Sequence, residues 1–197
     1  MSNSEGPEVP KNGTSAKPGR RAMVLIFLTV FIDLIGFGLI IPALPTYAQV
    51  LKADEQTIGL LIASYSVMQL IFMPFWGRLS DRVGRKPILI VSLTASALGY
   101  ILWGLADSLI LLFAARIVAG IGNANIAVAQ AYMSDVTSKD ERAKGMGLIG
   151  AAFGLGFVLG PAIGALLAGL GLGLNAVGYV AAAFSLIDLI FTAIYLP

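Results

Sequence analysis

The 197-residue chain contains neither cysteine nor histidine. Those absences exclude disulfides, Cys/His zinc sites, thiol nucleophiles and imidazole acid–base chemistry. Charge is scarce as well: Asp, Glu, Lys and Arg make up 12% of the residues, against about 25% in soluble globular domains. With 57% hydrophobic residues and a mean hydropathy of +0.86, a soluble enzyme with an ordinary wetted surface is excluded. No metal-ligand cluster, cofactor fingerprint or nucleophile–base set is visible, so the expectation is a non-enzyme with no metal or cofactor. Any proton chemistry falls to Asp, Glu, Lys, Arg or Tyr. A net charge of +2 points to no nucleic-acid partner.

What is present is long apolar runs. Residues 1–21 are polar and rich in Pro, Gly and Ser, and read as a disordered tail that cannot bury enough surface to fold. The run that follows is too long for a signal peptide and lacks a cleavage site. Arg20-Arg21 reads as the basic flank of a first span, and Asn12-Gly13-Thr14 as a glycosylation pattern that stays silent in a cytoplasmic tail. Six spans follow, at about 22–48, 56–77, 87–106, 108–134, 142–170 and 174–196. A bilayer requires about 20 residues per helix and internal satisfaction of every backbone hydrogen bond, so the expected fold is an all-α bundle of six transmembrane helices among membrane lipids. Loop charges orient it. Lys11, Lys17, Arg20, Arg21, Arg78, Arg82, Arg85, Lys86, Lys139, Arg142 and Lys144 fall on one side, and Lys52 alone on the other. The positive-inside rule places both termini in the cytoplasm of a cell (inner) membrane protein. Asp54 and Glu55 suit the start of span two, and Ser138-Lys139-Asp140-Glu141 reads as a capping box opening span five.

Ionisable residues inside spans are expensive and by default mark function. Three occur: Asp33, Arg116 and Asp188. The helical rise puts Asp33 about 18 Å into a core about 30 Å thick, at a depth similar to Arg116. The two are expected to share an aqueous cavity, with a fixed ion pair as the alternative. Asp188 lies nearer the cytoplasmic end, within snorkelling reach of water, and its role stays open. Arg116, Asn123 and Gln130 are spaced by seven, forming a polar stripe on one face of a continuous span four; interhelical hydrogen bonding is the plainer account of the two amides. Tyr65 and Gln69 give span two a weaker polar face. In span five, Gly156, Gly160 and Gly164 recur every four residues around Pro161, allowing close helix approach, either as static packing or as a moving face.

The stretch from Gly77 to Pro87, GRLSDRVGRKP, is read as a tight turn holding five charges. A basic anchor explains its cations but not Asp81 or the glycines Gly77 and Gly84. Its pattern resembles the signature between the second and third helices of the major facilitator superfamily, at Gly77, Leu79, Asp81, Arg82, Gly84, Arg85, Lys86 and Pro87. Three other segments agree in order. Asp33 to Pro45 resembles the first-helix motif of drug/proton antiporters, Arg116 to Gly120 the fourth-helix motif, and Gly156 to Gly164 the fifth-helix antiporter motif. Ala165 departs from the last, where a second glycine often stands. The nearest look is to the tetracycline/proton antiporter group.

The resemblance implies the N-terminal half of that fold, an inverted 3+3 helix repeat, completed by a second six-helix half (a C-terminal half or a homodimer partner). It further implies proton-coupled export of small, amphiphilic molecules or drugs, driven by the proton gradient without a cofactor. Asp33 and Arg116 would serve the proton and substrate pathway, Asp81 with Arg82 and Arg85 a conformational latch, and the span-five glycines closure. The other reading is a membrane scaffold or binding protein that does not transport.

Overall fold

The computed structural model describes residues 18–196; the tail expectations at Lys11, Asn12 and Lys17 lie outside the described residues. The helices are α1 (Pro18–Val50), α2 (Glu55–Val83), α3 (Arg85–Gly104), α4 (Leu109–Gly122), α5 (Asn125–Val136), α6 (Arg142–Gly169) and α7 (Leu174–Tyr195). Six stretches are long and apolar enough to cross a membrane, with α4 and α5 together making the fourth. Spans five and six are α6 and α7.

Three local readings need correction. Span four is not continuous: Asn123 and Ala124 leave the helix between α4 and α5. Two asparagines in GNAN compete for the backbone and weaken the helix there. Neighbours satisfy the freed groups. Trp76 Nε1 donates to Ile121 O at 2.6 Å, Ser92 Oγ donates to Gly122 O, and Ala124 N donates to Ser92 Oγ at 2.8 Å. Irregular backbone at membrane depth is tolerated where protein supplies such partners.

The second correction concerns the stretch from Gly77 to Pro87, which is almost wholly helical. α2 runs to Val83 and α3 starts at Arg85, leaving Gly84 alone between them at φ 98° and ψ 158°. That left-handed φ requires glycine. Gly77 is not a close-approach point, since nothing lies within 4 Å of where its Cβ would stand.

The third is the span-five capping box. Glu141 precedes α6 in a helical conformation, and Ser138 Oγ meets the Glu141 carboxylate at 3.3 Å rather than a backbone N–H. The cap of span two is of the side-chain kind. Asp54 accepts from Thr57 N at 2.8 Å, and the hydrogen bonds from Thr57 hold its carboxyl below the usual carboxylate range.

The bundle has the symmetry of an inverted 3+3 repeat. Span one packs on spans five and six, span four packs on spans two and three, and spans three and six pack on each other. Exchanging one with four, two with five and three with six reproduces the same set of neighbours. Small residues set the closest crossings. A Cβ on Gly160 would meet Gly38 backbone carbon at 2.6 Å, and one on Gly120 would meet Tyr65 O at 2.6 Å. The bundle's basic ends gather together, for Lys86 Nζ donates to Leu196 O at 2.6 Å and Arg85 Nε to Asp135 Oδ2 at 2.9 Å.

Candidate functional site: a buried polar cluster and a charged helix junction

Asp33 on α1 is 4% exposed and Arg116 on α4 is 6% exposed, so neither reaches water within the bundle. They do not form the fixed ion pair. Among the described residues, the cation–carboxylate contacts within 4.0 Å are those of Arg85 with Asp81 and with Asp135. Instead, Asp33 Oδ1 accepts from Asn125 Nδ2 at 2.9 Å, while the Arg116 guanidinium lies 4.3 Å from the Tyr65 ring centre. That stacking is a cation–π contact, strengthened by desolvation. Arg116 Nε is buried with no hydrogen-bond partner among the described residues. Asn123 Nδ2 donates to Tyr65 OH, and the Phe37 ring closes the group 5.5 Å from Tyr65. The broken span is what brings both amides inward: Asn123 ends α4 toward Tyr65, and Asn125 opens α5 toward Asp33.

Other expected pathway residues lie outside this group. Gln130 is exposed, because the break at Asn123 rotates α5 out of phase with α4 and the heptad stripe ends there. Gln69 is half-buried on α2. Two members escaped the sequence reading. Asn125 was hidden by treating span four as one ideal helix, although GNAN carries the signal of a break. Tyr100 of α3 is buried within electrostatic reach of Asp33, Tyr65 and Arg116.

At the basic end, Arg85 is the hub. Its Nη1 reaches Asp81 Oδ1 at 2.6 Å and Ser80 Oγ at 2.7 Å, and its Nε reaches Asp135 Oδ2 at 2.9 Å. This ties α2, α3 and the end of span four together. Asp135 was overlooked because it falls one residue beyond the expected end of its span. Arg82 is exposed, and Lys86 is taken up by the carbonyl of Leu196. On α6, Gly156 and Gly160 press against Leu34 and Gly38 of α1, whereas Gly164 finds only Leu39 Cδ2 at 3.7 Å. The helices part there, and an apolar groove of about 320 Å³ opens beside Pro42 and Pro161.

The ordered membrane spans, their exchange symmetry and this charged junction meet in one family profile, that of the Major Facilitator Superfamily, which matches residues 26–197. The chain belongs to that superfamily. It is 43% identical over 150 residues to "Tetracycline resistance protein, class H" of Pasteurella multocida, covering 75% of this chain and 38% of that protein. It is 36% identical over 150 residues to "Multidrug resistance protein 2" of Bacillus subtilis (strain 168), covering 76% of this chain and 38% of the relative. Among solved structures, the human organic anion transporter MFSD10 (TETRAN) superposes with a TM-score of 0.78 at 31% identity, over 91% of this chain and 48% of that one. The chain thus spans less than half the length of these superfamily members, and it is a multi-pass membrane protein of their kind.

Proposed function

We propose that this chain is the N-terminal half of a proton-coupled antiporter that exports small, amphiphilic molecules by alternating access. The observation that carries the reading is the buried cluster: a carboxylate and a guanidinium, both withdrawn from water and not paired with each other. Buried charges held apart in this way are poised to exchange partners, which is what coupling a proton to a substrate demands. Asp33 carries the proton, and Arg116 with Tyr65 and Asn123 lines the substrate side. Asp81, Arg85 and Asp135 weight one conformation at the cytoplasmic end. The relatives named for tetracycline and multidrug resistance support a drug-like substrate. The loop-charge asymmetry supports the inner membrane with both termini in the cytoplasm.

A second six-helix half is the required partner. Only 11% of the most apolar stretch of α2 and 22% of that of α6 are buried within their own bundle. These are the spans that the repeat makes equivalent, so the same kind of face is left open twice. The test is uptake into inside-out vesicles carrying the chain joined to, or co-expressed with, a matching C-terminal half, with tetracycline as the first probe. Accumulation that collapses with the pH gradient supports the reading; accumulation indifferent to the gradient refutes proton coupling. The chain by itself gives no vectorial transport, because alternating access rocks one half against another. Topology is checked with single cysteines, introduced without removing any: Lys52→Cys labels from outside and Ser138→Cys does not.

A further inference from the structure

Asp188 has no part in the cluster so far described. It sits on α7 at 0% exposure, far from the snorkelling position expected for it. Thr192 Oγ1 donates to its Oδ1 at 3.5 Å, and Thr29 Oγ1 of α1 bonds to Thr192 Oγ1 at 3.1 Å. Its Oδ2 is buried with no partner among the described residues, and so is Oγ of Ser185, itself 1% exposed. Ser185 stands three residues before Asp188, on the same helix face.

Two contacts fix the register of the antiparallel pair α1–α7. Thr29 meets Thr192, and the Cβ position of Gly36 lies 3.4 Å from Ala181 O. Between these points Asp33 stands opposite the Ser185–Asp188 stretch, and the two carboxyls interact electrostatically. Among the described residues no cation pairs with Asp188. On α3, Tyr100 belongs to the group around Asp33 and Arg116, and Lys86 is held by Leu196 O two turns beyond Asp188. On α6 no ionisable side chain follows Lys144. An ionised carboxylate here would be buried, unpaired and beside a second acid, which is prohibitively costly. One proton on Oδ2 removes that cost, while Thr192 Oγ1 still donates to Oδ1 of the neutral acid.

We propose that Asp188 is a second proton-binding site, held neutral by its burial inside the bundle and facing Asp33 across the α1–α7 interface. It lies on the interior seam between spans one and six. The proton it holds is therefore released only when that seam admits water or a base, by transfer to the Asp33 carboxylate or to the entering water, leaving Asp188 as the anion. This assignment deepens the proton-coupled reading, but its test measures no transport, so either can fail alone.

The test is infrared spectroscopy of the whole chain in lipid vesicles at neutral pH. The protonated-carboxyl stretch is expected in the wild type, lost in Asp188→Asn and retained in Asp33→Asn. Thr192→Val should move that band to higher frequency, because the carboxyl oxygen loses its donor; this variant keeps the carboxyl and tests the site even where Asp188→Asn fails to insert. Exchange of sodium for choline in the buffer should leave the band unchanged. Absence of the band in the wild type, its survival in Asp188→Asn, or its loss on adding sodium would each overturn the proposal, the last in favour of a metal-cation site.

Discussion

Spans one and four hold equivalent places in the two three-helix repeats, yet one is an unbroken helix with two internal prolines and the other is interrupted at Asn123–Ala124. Each carries an ionisable residue shortly before a glycine at a close crossing: Asp33 five residues before Gly38, and Arg116 four residues before Gly120. Beyond the glycine, each loses regular helical hydrogen bonding. In span one Pro42 withholds the N–H that Gly38 O would accept. In span four the asparagines turn the chain out of the helix. The repeat thus duplicates a scaffold of crossing, charge and weak point, and the side chains planted on it diverge. Under the proposed antiporter reading, opposite charges at matched positions would let one scaffold handle both a proton and a substrate.

The sharpest way to break this pairing is to neutralise one member. In the assembled transporter, Asp33→Asn is expected to abolish proton-driven accumulation while the protein still inserts, since an amide keeps the shape but holds no exchangeable acid proton. Arg116→Lys should lower transport about tenfold, equivalent to about 1.4 kcal/mol, because an ammonium cannot reproduce the planar stack on Tyr65. Vesicle uptake with and without a pH gradient reads both. Equal, mild losses in the two variants would dissolve the contrast between proton site and substrate site.

The crossings come next. Gly160→Ala and Gly120→Ala should each destabilise the bundle by about 3 kcal/mol, at the upper end for overpacking, because each added methyl meets backbone rather than a movable side chain. Gly164→Ala and Gly150→Ala should be close to neutral, the first having ordinary contact and the second open space. Denaturation of the purified chain in detergent separates the four. Stable Gly160→Ala would remove span five's tight face from the account.

How far the sequence alone reached follows the same division. Six spans, their order and the family were legible because hydrophobic length and loop charge act independently of tertiary detail. Asp33, Arg116 and Tyr65 stood out as polar groups in apolar runs. Asn125, Tyr100 and Asp135 did not, for each matters through a partner on a distant span. Gln130 lies apart from the buried cluster because heptad spacing holds only along an unbroken helix. Ser92 is the clearest case of a residue without local signal: its one hydroxyl donates to Gly122 O before the break and accepts from Ala124 N after it. Ser92→Ala leaves Gly122 O and Ala124 N with only their own tight contact across the turn at 2.8 Å and should cost about 1 kcal/mol, whereas Pro42→Ala restores a helical bond to span one and should cost less. Side-by-side thermal unfolding of the two variants checks whether the weak points are as unlike as they look.

The smallest effects on stability are expected at the charged junction, where function and stability part company. Asp81 and Asp135 side chains are 62% and 53% exposed, and Arg85 between them 18%. Ion pairs with so wet a partner contribute about 0–1 kcal/mol, so Asp81→Asn should scarcely move the unfolding midpoint. Arg85→Gln should cost somewhat more, because it also releases Ser80 and severs the tie between α3 and the end of span four. The junction lies at the bundle's basic end, away from the Asp33–Arg116 cluster, so it can influence transport only by weighting states in which these contacts differ. Labelling rates of a cysteine at Ser138 or Lys52 should therefore change in Asp81→Asn while substrate affinity holds. Unchanged labelling together with weakened substrate binding would mean that the junction supports the cluster directly, and that Arg85 is not a latch.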